Sequence, residues 1–277
     1  MNEQQTNQLI LRAKSRARWQ TIFLSLLLLF GIGPLLYLAS LTFYTVTDRA
    51  NDSIELIEAL YEVTDPMLRV DERRVEATLT PFFHLTIRAP LAMEGWDGFY
   101  EVGTDVTDIQ FGKRISTMTD WSIPRPVGND TDEEETLSYE QQVGHFAPND
   151  RLHAFVTFAQ PVRYEHLQEA IGDDVRTTWL AVETKQTGDV TTIGFPTNDE
   201  HPVERFKERL AFIAEHEEEA SERTWPYDVR ANERLADLAD EPLSIQGASV
   251  LVTKETLDAY YNDGTWKDVT LLYPVAR

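Results

Sequence analysis

Ile22-Phe-Leu-Ser-Leu-Leu-Leu-Leu-Phe-Gly-Ile-Gly-Pro-Leu-Leu-Tyr-Leu-Ala-Ser-Leu-Thr-Phe-Tyr44 decides how the rest of the chain is read. From Gln20 to Thr47 no side chain carries a charge. A bilayer core about 30 Å thick takes roughly 20 apolar residues in a helix, and this run supplies them. Hydrocarbon offers nothing to a backbone N–H or C=O, so a crossing segment must satisfy both within a helix. The expectation is one transmembrane helix over 21–46. Gly31, Gly33 and Pro34 are expected to bend it, because proline removes a ladder hydrogen bond.

The flanks orient the span. Arg12, Lys14, Arg16 and Arg18 precede it, while Asp48, Arg49 and Asp52 follow it. Short segments rich in Lys and Arg stay in the cytoplasm, so residues 1–20 read as a basic cytoplasmic head and the C-terminal bulk as extracytoplasmic. Trp19 at one end and Phe43 and Tyr44 at the other suit an interfacial aromatic belt. A cleaved signal peptide is the competing reading. Its apolar region is usually about 7–15 residues long, shorter than this one, and Tyr37-Leu-Ala-Ser40 makes a poor cleavage site.

The chain has 277 residues and a net charge of −22. The head, with four basic residues and Glu3, is positive, so the body beyond it is more acidic still. Such a body does not bind nucleic acid directly, since phosphate contacts need Lys and Arg. There is no cysteine, which excludes disulfides, thiolate zinc sites and thiol catalysis.

Asp52-Ser-Ile-Glu55 has capping-box character and opens a short helix towards Val63. Val75–Thr80, Phe82–Arg88, Gly98–Val102 and Asp108–Phe111 read as short strands, which makes 47–135 a β-rich module. Pro124-Arg-Pro126 and the acidic run to Glu135 read as a hinge ending near Leu137. In 136–277 the pattern is strand 152–158, helix 163–171, strand 175–184, helices 202–220 and 232–238, strand 243–253, helix 254–261 and strand 269–273. Gly247 reads as a bulge. The fold class is therefore α+β, and the two β-α-β units around a helical insertion are compatible with a ferredoxin-like sandwich.

Local signatures of chemistry are missing. His216-Glu-Glu-Glu lacks the second histidine of a zinc-protease helix. Asp130–Glu135 lacks the glycine and terminal glutamate of a calcium loop. His84 and His153 fall in strands, His166 on a helix, His145 and His201 in loops, without metal-ligand spacing. No nucleophile elbow, Ser-x-x-Lys pair or phosphate loop occurs. The expectation is no catalytic, cofactor or metal residue and no enzyme. A pair of carboxylates converging in space, as in glycosidases, is the one catalytic arrangement sequence leaves open. Phe155, Phe158, Trp179 and Trp266 are expected to fill a core, and Trp96, Trp121 and Trp225 to pin loops.

His153-Ala-Phe-Val-Thr-Phe-Ala-Gln-Pro-Val-Arg-Tyr-Glu-His-Leu167, Thr178-Trp-Leu-Ala-Val-Glu-Thr184 and Ile245-Gln-Gly-Ala-Ser-Val-Leu-Val-Thr253 with Leu257 resemble the C-terminal domain of membrane-bound sigma factor regulators. These are anti-sigma proteins of Gram-positive bacteria. Phe155, Phe158, Pro161, Trp179 and Gly247 carry the likeness, and the head, span and β-rich region are similar to the family's N-terminal part. The resemblance implies a protein that holds an extracytoplasmic-function sigma factor at the cell membrane and answers an envelope signal. The chain departs from the family in its short head, which lacks the His and Cys zinc ligands many anti-sigma domains carry. One helix over Asn2–Arg18, with Leu9, Ile10 and Leu11 as its contact, grips weakly unless a second small membrane subunit or a homodimer adds area. The alternative is a membrane-tethered binding or scaffold protein without a transcriptional role.

Overall fold

The computed structural model describes residues 3–121, 138–172, 174–185, 192–224, 229–239 and 242–274. It is an α+β protein with one apolar N-terminal helix and two antiparallel sheets. Contacts divide the chain into two compact units. The first comprises Met1–Ala50 with Ala77–Thr86 and Asp108–Ser116, and the second holds the rest.

Helix α1 (Glu3–Thr47) runs through Pro34 as one element, so head and span are a single helix. Its portion from Lys14 to Thr47 is long and apolar enough to cross a bilayer. Asp48, with φ of 54°, ends it, since a left-handed residue cannot continue a right-handed ladder. Helix α2 (Arg49–Thr64) follows at once. It starts three residues earlier than the capping-box signal at Asp52 suggests, because Asp48 supplies the break. Asp65 stops α2 by accepting from the backbone N–H groups of Met67 and Leu68, both at 2.8 Å.

The first sheet contains β1 (Leu68–Val70), β2 (Glu76–Thr80), β3 (His84–Gly95), β4 (Gly98–Gln110) and β5 (Lys113–Trp121). Its order is β1-β3-β4-β5, with β2 also on β3. Three expectations need correction here. Phe82 and Phe83 are not in a strand but in the turn before β3, at φ of 71° and 59°. The stretches 98–102 and 108–111 belong to one continuous strand, because Gly103 and Asp105 are held within the ladder rather than turning it. The last sequence-read strand also ends at Gln110, leaving Phe111 in the β4–β5 turn.

The second sheet has the order β10-β6-β9-β7-β8, every neighbouring pair antiparallel. Its strands are β6 (Arg151–Arg163), β7 (Arg176–Val182), β8 (Gly194–Pro196), β9 (Ser244–Thr253) and β10 (Trp266–Pro274). Helix α3 (Tyr139–Val143) precedes β6 and opens with a full capping box, Ser138 paired with Gln141. Helix α4 (Leu167–Ile171) joins β6 to β7, and α8 (Lys254–Asn262) joins β9 to β10. Each crossover skips one strand. Between β8 and β9 lie α5 (Pro202–Glu215), α6 (Glu217–Thr224) and α7 (Ala231–Ala239). The helix read over 202–220 is thus two, broken at His216.

The main core packs Leu152, Ala154, Val156 and Phe158 of β6 with Val250 and Val252 of β9, Phe206, Leu210 and Ile213 of α5, and Leu56, Leu60 and Val63 of α2. Their i, i+2 spacing on strands and i, i+3, i+4 spacing on helices put each set on one face. At roughly 2 kcal/mol per fully buried large aliphatic side chain, this shared core makes α2 an integral part of the second unit. A smaller cluster of Leu68, Leu91, Met93 and Val102 closes the β-rich part.

Candidate functional site

The residues that sequence points to are placed in three settings. Lys14, Arg16 and Arg18 are exposed on α1. Arg12 is in the same helix, but its side chain is outside the described set, as are the hinge over 124–137, Asp130–Glu135, Trp225 and the side chain of Trp121. Phe158 joins the main core, as does Trp266. Phe155 and Trp179 lie elsewhere. Phe155 alternates with Val156 and Phe158 and so takes the opposite face of the sheet, where its ring centroid is 6.3 Å from that of Trp179.

Gly247 belongs with that pair, since a Cβ there would meet the carbonyl of Val156 at 2.5 Å and the Phe155 ring at 3.3 Å. The register against β7 jumps from Ala181↔Gly247 to Val182↔Ile245, which leaves Gln246 as the extra residue of a bulge. Pro161 is not in the core. It is exposed in the irregular stretch of β6 between Thr157 and Val162, where the missing N–H of proline removes no ladder bond.

His153 Nε2 lies 2.7 Å from Ser249 Oγ, the spacing of a base and a nucleophile. Thr178 Oγ1 donates to the same serine hydroxyl region at 3.0 Å. His153 and Ser249 are 1% and 0% exposed, so no substrate reaches them. Burial, and secondarily the nearby Arg69 charge, pushes the His153 pKa down to about 4. The arrangement is a satisfied buried polar network. Among the described residues no group of three His, Asp or Glu is placed to hold a metal ion.

The arrangement that sequence reading missed is a charged cleft between α2 and α5. Glu62 is its hub. Arg205 Nε reaches Glu62 Oε1 at 2.7 Å, and Arg209 Nε reaches Oε2 at 3.1 Å. Arg209 also meets Glu55 at 3.1 Å and Glu58 at 3.8 Å. Arg205 extends to Asp199 at 3.2 Å and Glu72 at 3.5 Å. Five carboxylates thus face two guanidiniums, which makes the cleft net negative and raises the pKa of Glu58, through burial first and then through Glu72. The open space beside it, about 590 Å³, is lined by Asp199, His201, Glu204 and Glu208 as well.

Glu55, Glu58 and Glu62 are spaced i, i+3, i+7 and Arg205 and Arg209 are spaced i, i+4, so each set forms one helix stripe. Matching those stripes is the sequence signal that finds the cleft. The Trp179 indole N–H completes the attachment by donating to the main-chain carbonyl of Glu62 at 3.0 Å. No family model, curated protein or solved structure matches this chain.

Proposed function

We propose that this chain is a single-pass membrane protein whose acidic body lies outside the cytoplasm and which regulates an extracytoplasmic-function sigma factor. The observation that carries the reading is the anchorage of α2. Its carboxylate stripe, its apolar face and the Glu62 carbonyl are all bound to the body, and Asp48 alone separates it in sequence from the apolar helix. Signal transfer in this reading needs a two-state element in the body whose equilibrium biases α2, and through it the span. The basic residues Lys14, Arg16 and Arg18 before the span support an inside N-terminus.

The sigma-factor assignment rests on the family resemblance of β6, β7 and β9. The order β10-β6-β9-β7, with α4 and α8 as the crossovers, supports a ferredoxin-like reading of 136–277 with β8 as an added edge. The cell membrane, with the C-terminal domain exported, is the proposed location.

The test is capture from membranes solubilised in detergent. The full chain retains a sigma factor, and a variant lacking Glu3–Leu11 but keeping the basic cluster releases it. Equal retention removes the head from the mechanism. Protease added to whole cells should cut the body, and a cytosolic reporter signal from a fusion at Arg277 would end the proposal. The tethered binding or scaffold reading is favoured by one observation, that Glu3–Thr47 is one continuous helix. It predicts no sigma factor in the captured material.

A further inference from the structure

We propose that the two phenylalanine-bearing turns of the first unit are embedded in the outer interface of the bilayer that α1 crosses, as a lipid-facing collar around the end of the span. The inference rests on the reading of α1 as a membrane span. The turns are Pro81–Phe83, between β2 and β3, and Phe111–Gly112, between β4 and β5.

Their depth is set by hydrogen bonds to the apolar helix itself. The Phe83 N–H donates to Ser40 Oγ at 2.9 Å, and the Tyr44 hydroxyl donates to the Phe83 carbonyl at 2.9 Å. The Gly112 N–H donates to the Tyr44 oxygen at 3.4 Å. Ser40 is seven residues inside the charge-free run that ends at Thr47, about 10 Å along a helix rising roughly 1.5 Å per residue. The run from Gln20 to Thr47 is about 42 Å long at that rise, which matches a bilayer of about 40–45 Å with its headgroups. Ser40 therefore sits near the edge of the hydrocarbon and Tyr44 in the interface. The turns bonded to them share that depth.

The chemistry of the turns fits lipid rather than water. Non-helical backbone at membrane depth needs partners within the protein. Here Phe83 has both polar groups satisfied, and Phe111 donates its N–H to the Phe83 carbonyl at 3.0 Å. The Phe111 carbonyl accepts from Arg49 Nη1 at 3.4 Å. Ser40 and Tyr44, 0% and 4% exposed, are spent on that backbone. The side chains do the reverse. Phe82 is 63% exposed and Phe111 57%, as open as Leu28 on the span at 52%.

Phe82, Phe83 and Phe111 hold φ of 71°, 59° and 51°, a region that suits Gly or Asn, yet each position carries a large aromatic ring. The Phe83 ring stacks on Phe111 at 4.9 Å and meets Phe43 edge-on at 5.5 Å, which fixes the pair against the helix. Arg49, Lys113 and Arg114 lie beside the turns against Asp48 and Asp108, a local positive balance in an otherwise acidic protein. Aromatic rings backed by basic side chains are the composition that binds an anionic headgroup layer.

The absence of cysteine from the sequence makes single spin labels unambiguous. The full chain is reconstituted into phosphatidylethanolamine vesicles containing phosphatidylglycerol, with one label each from Phe82→Cys, Phe111→Cys, Leu28→Cys and Glu218→Cys. Collision rates with oxygen and with a water-soluble nickel chelate are then compared. The expected oxygen-to-nickel ratio at 82 and 111 lies several-fold above that at the exposed Glu218 site and below that at Leu28. A ratio at 82 and 111 equal to that at Glu218, with Leu28 still oxygen-rich, overturns the collar while leaving the span intact. Sites 82 and 111 shielded from both reagents point to a protein contact and also overturn it. A nickel-accessible Leu28 overturns the span and the collar together.

Discussion

Trp179 Nε1 donates to the carbonyl of Glu62 at 3.0 Å, and the carboxylate of the same glutamate takes Arg205 and Arg209. One residue near the end of α2 is thus held through its main chain by the sheet and through its side chain by α5. The last turn of a helix presents carbonyls without intrahelical partners, and an indole N–H is a donor with no acceptor of its own, so the two needs cancel.

Trp179→Phe removes the donor and leaves a buried carbonyl short of a partner. The expected cost is about 1–2 kcal/mol, added to the loss of ring area. The indole N–H of the buried Trp266 has no hydrogen-bond partner, so Trp266→Phe loses area but also relieves a desolvated donor. In guanidinium unfolding of the full chain in non-ionic detergent, Trp179→Phe should lower the midpoint more than Trp266→Phe. The reverse order would show that the bond to Glu62 contributes little.

The two arginines should differ in weight. The Arg209 side chain is 15% exposed and touches three glutamates, whereas that of Arg205 is 38% exposed. Removing Arg209 takes away the cation facing Glu58 and leaves Glu62 with Arg205 alone, for an expected cost of about 2 kcal/mol, below the figure for a fully buried pair. Arg205→Ala should cost about 1 kcal/mol, because water screens its interactions. Added salt should shrink the second effect more than the first. The same denaturation assay at low and high ionic strength checks both.

Glu58 supplies a prediction of opposite sign. Its raised pKa comes from burial and then from Glu72, with Arg209 opposing them. A carboxyl whose folded pKa exceeds its unfolded value stabilises the fold while protonated, and that benefit is lost as pH rises through the folded pKa. At neutral pH Glu58→Gln should therefore raise stability by about 0.5–1 kcal/mol, and the gain should vanish on acidification below the ordinary carboxylate range. A loss at pH 7 would mean that the 3.8 Å contact with Arg209 outweighs burial.

Much of this was legible in the sequence, for identifiable reasons. The long apolar run makes α1 legible because 28 charge-free residues suit a helix long enough to cross a bilayer, and the alternation in 152–158 and 243–253 does the same for the central strands of the second sheet. What escaped were features set by contacts distant in sequence. Pro90 and Gly95 look like strand breakers, yet β3 runs from His84 to Gly95, with β1 pairing Val70↔Leu91 through Leu68↔Met93. Phe82-Phe83 looks like strand and is turn, because Ser40 and Tyr44 supply partners that no local pattern reveals. The carboxylate stripe of α2 and the arginine stripe of α5 are legible separately, but their meeting at Glu62 is set by packing between helices, across sequence separations of 143 and 147 residues.

Gly247 tests the packing of the face shared by Phe155 and Trp179. A Cβ at position 247 would lie 2.5 Å from the Val156 carbonyl oxygen, a backbone atom fixed in the central pair of strands. Neither strand can retreat without breaking its ladder, so Gly247→Ala should cost about 1–3 kcal/mol as an overpacking change. Alanine beside the helix break, at Gly144, offers a milder control only in that its obstacle, the Glu140 carbonyl, ends a short surface helix. Equal midpoints for Gly247→Ala and the parent would show that the bulge at Gln246 absorbs the methyl group.

His153 makes the stability of the body depend on pH. Burial, then Arg69, lowers its pKa from 6.5 to about 4. In the unfolded chain the imidazole takes a proton near pH 6.5, while in the folded protein it resists until about pH 4. The folded state thus binds fewer protons across that window, and stability falls as pH falls. Above pH 6.5 the contribution is complete; below about 4 both states are charged and nothing further is lost. At about 1.4 kcal/mol per pH unit the whole window is worth about 3 kcal/mol. His153→Gln keeps a polar partner for Ser249 and cannot titrate. Its deficit at pH 7 should therefore shrink by about that amount at pH 4, because only the parent loses stability on acidification. The paired denaturation curves measure this difference directly, since the many surface carboxylates titrate alike in both proteins. Parallel curves would show that the His153 ring takes up its proton equally well folded and unfolded, and that the network with Ser249 and Thr178 opens in acid without cost.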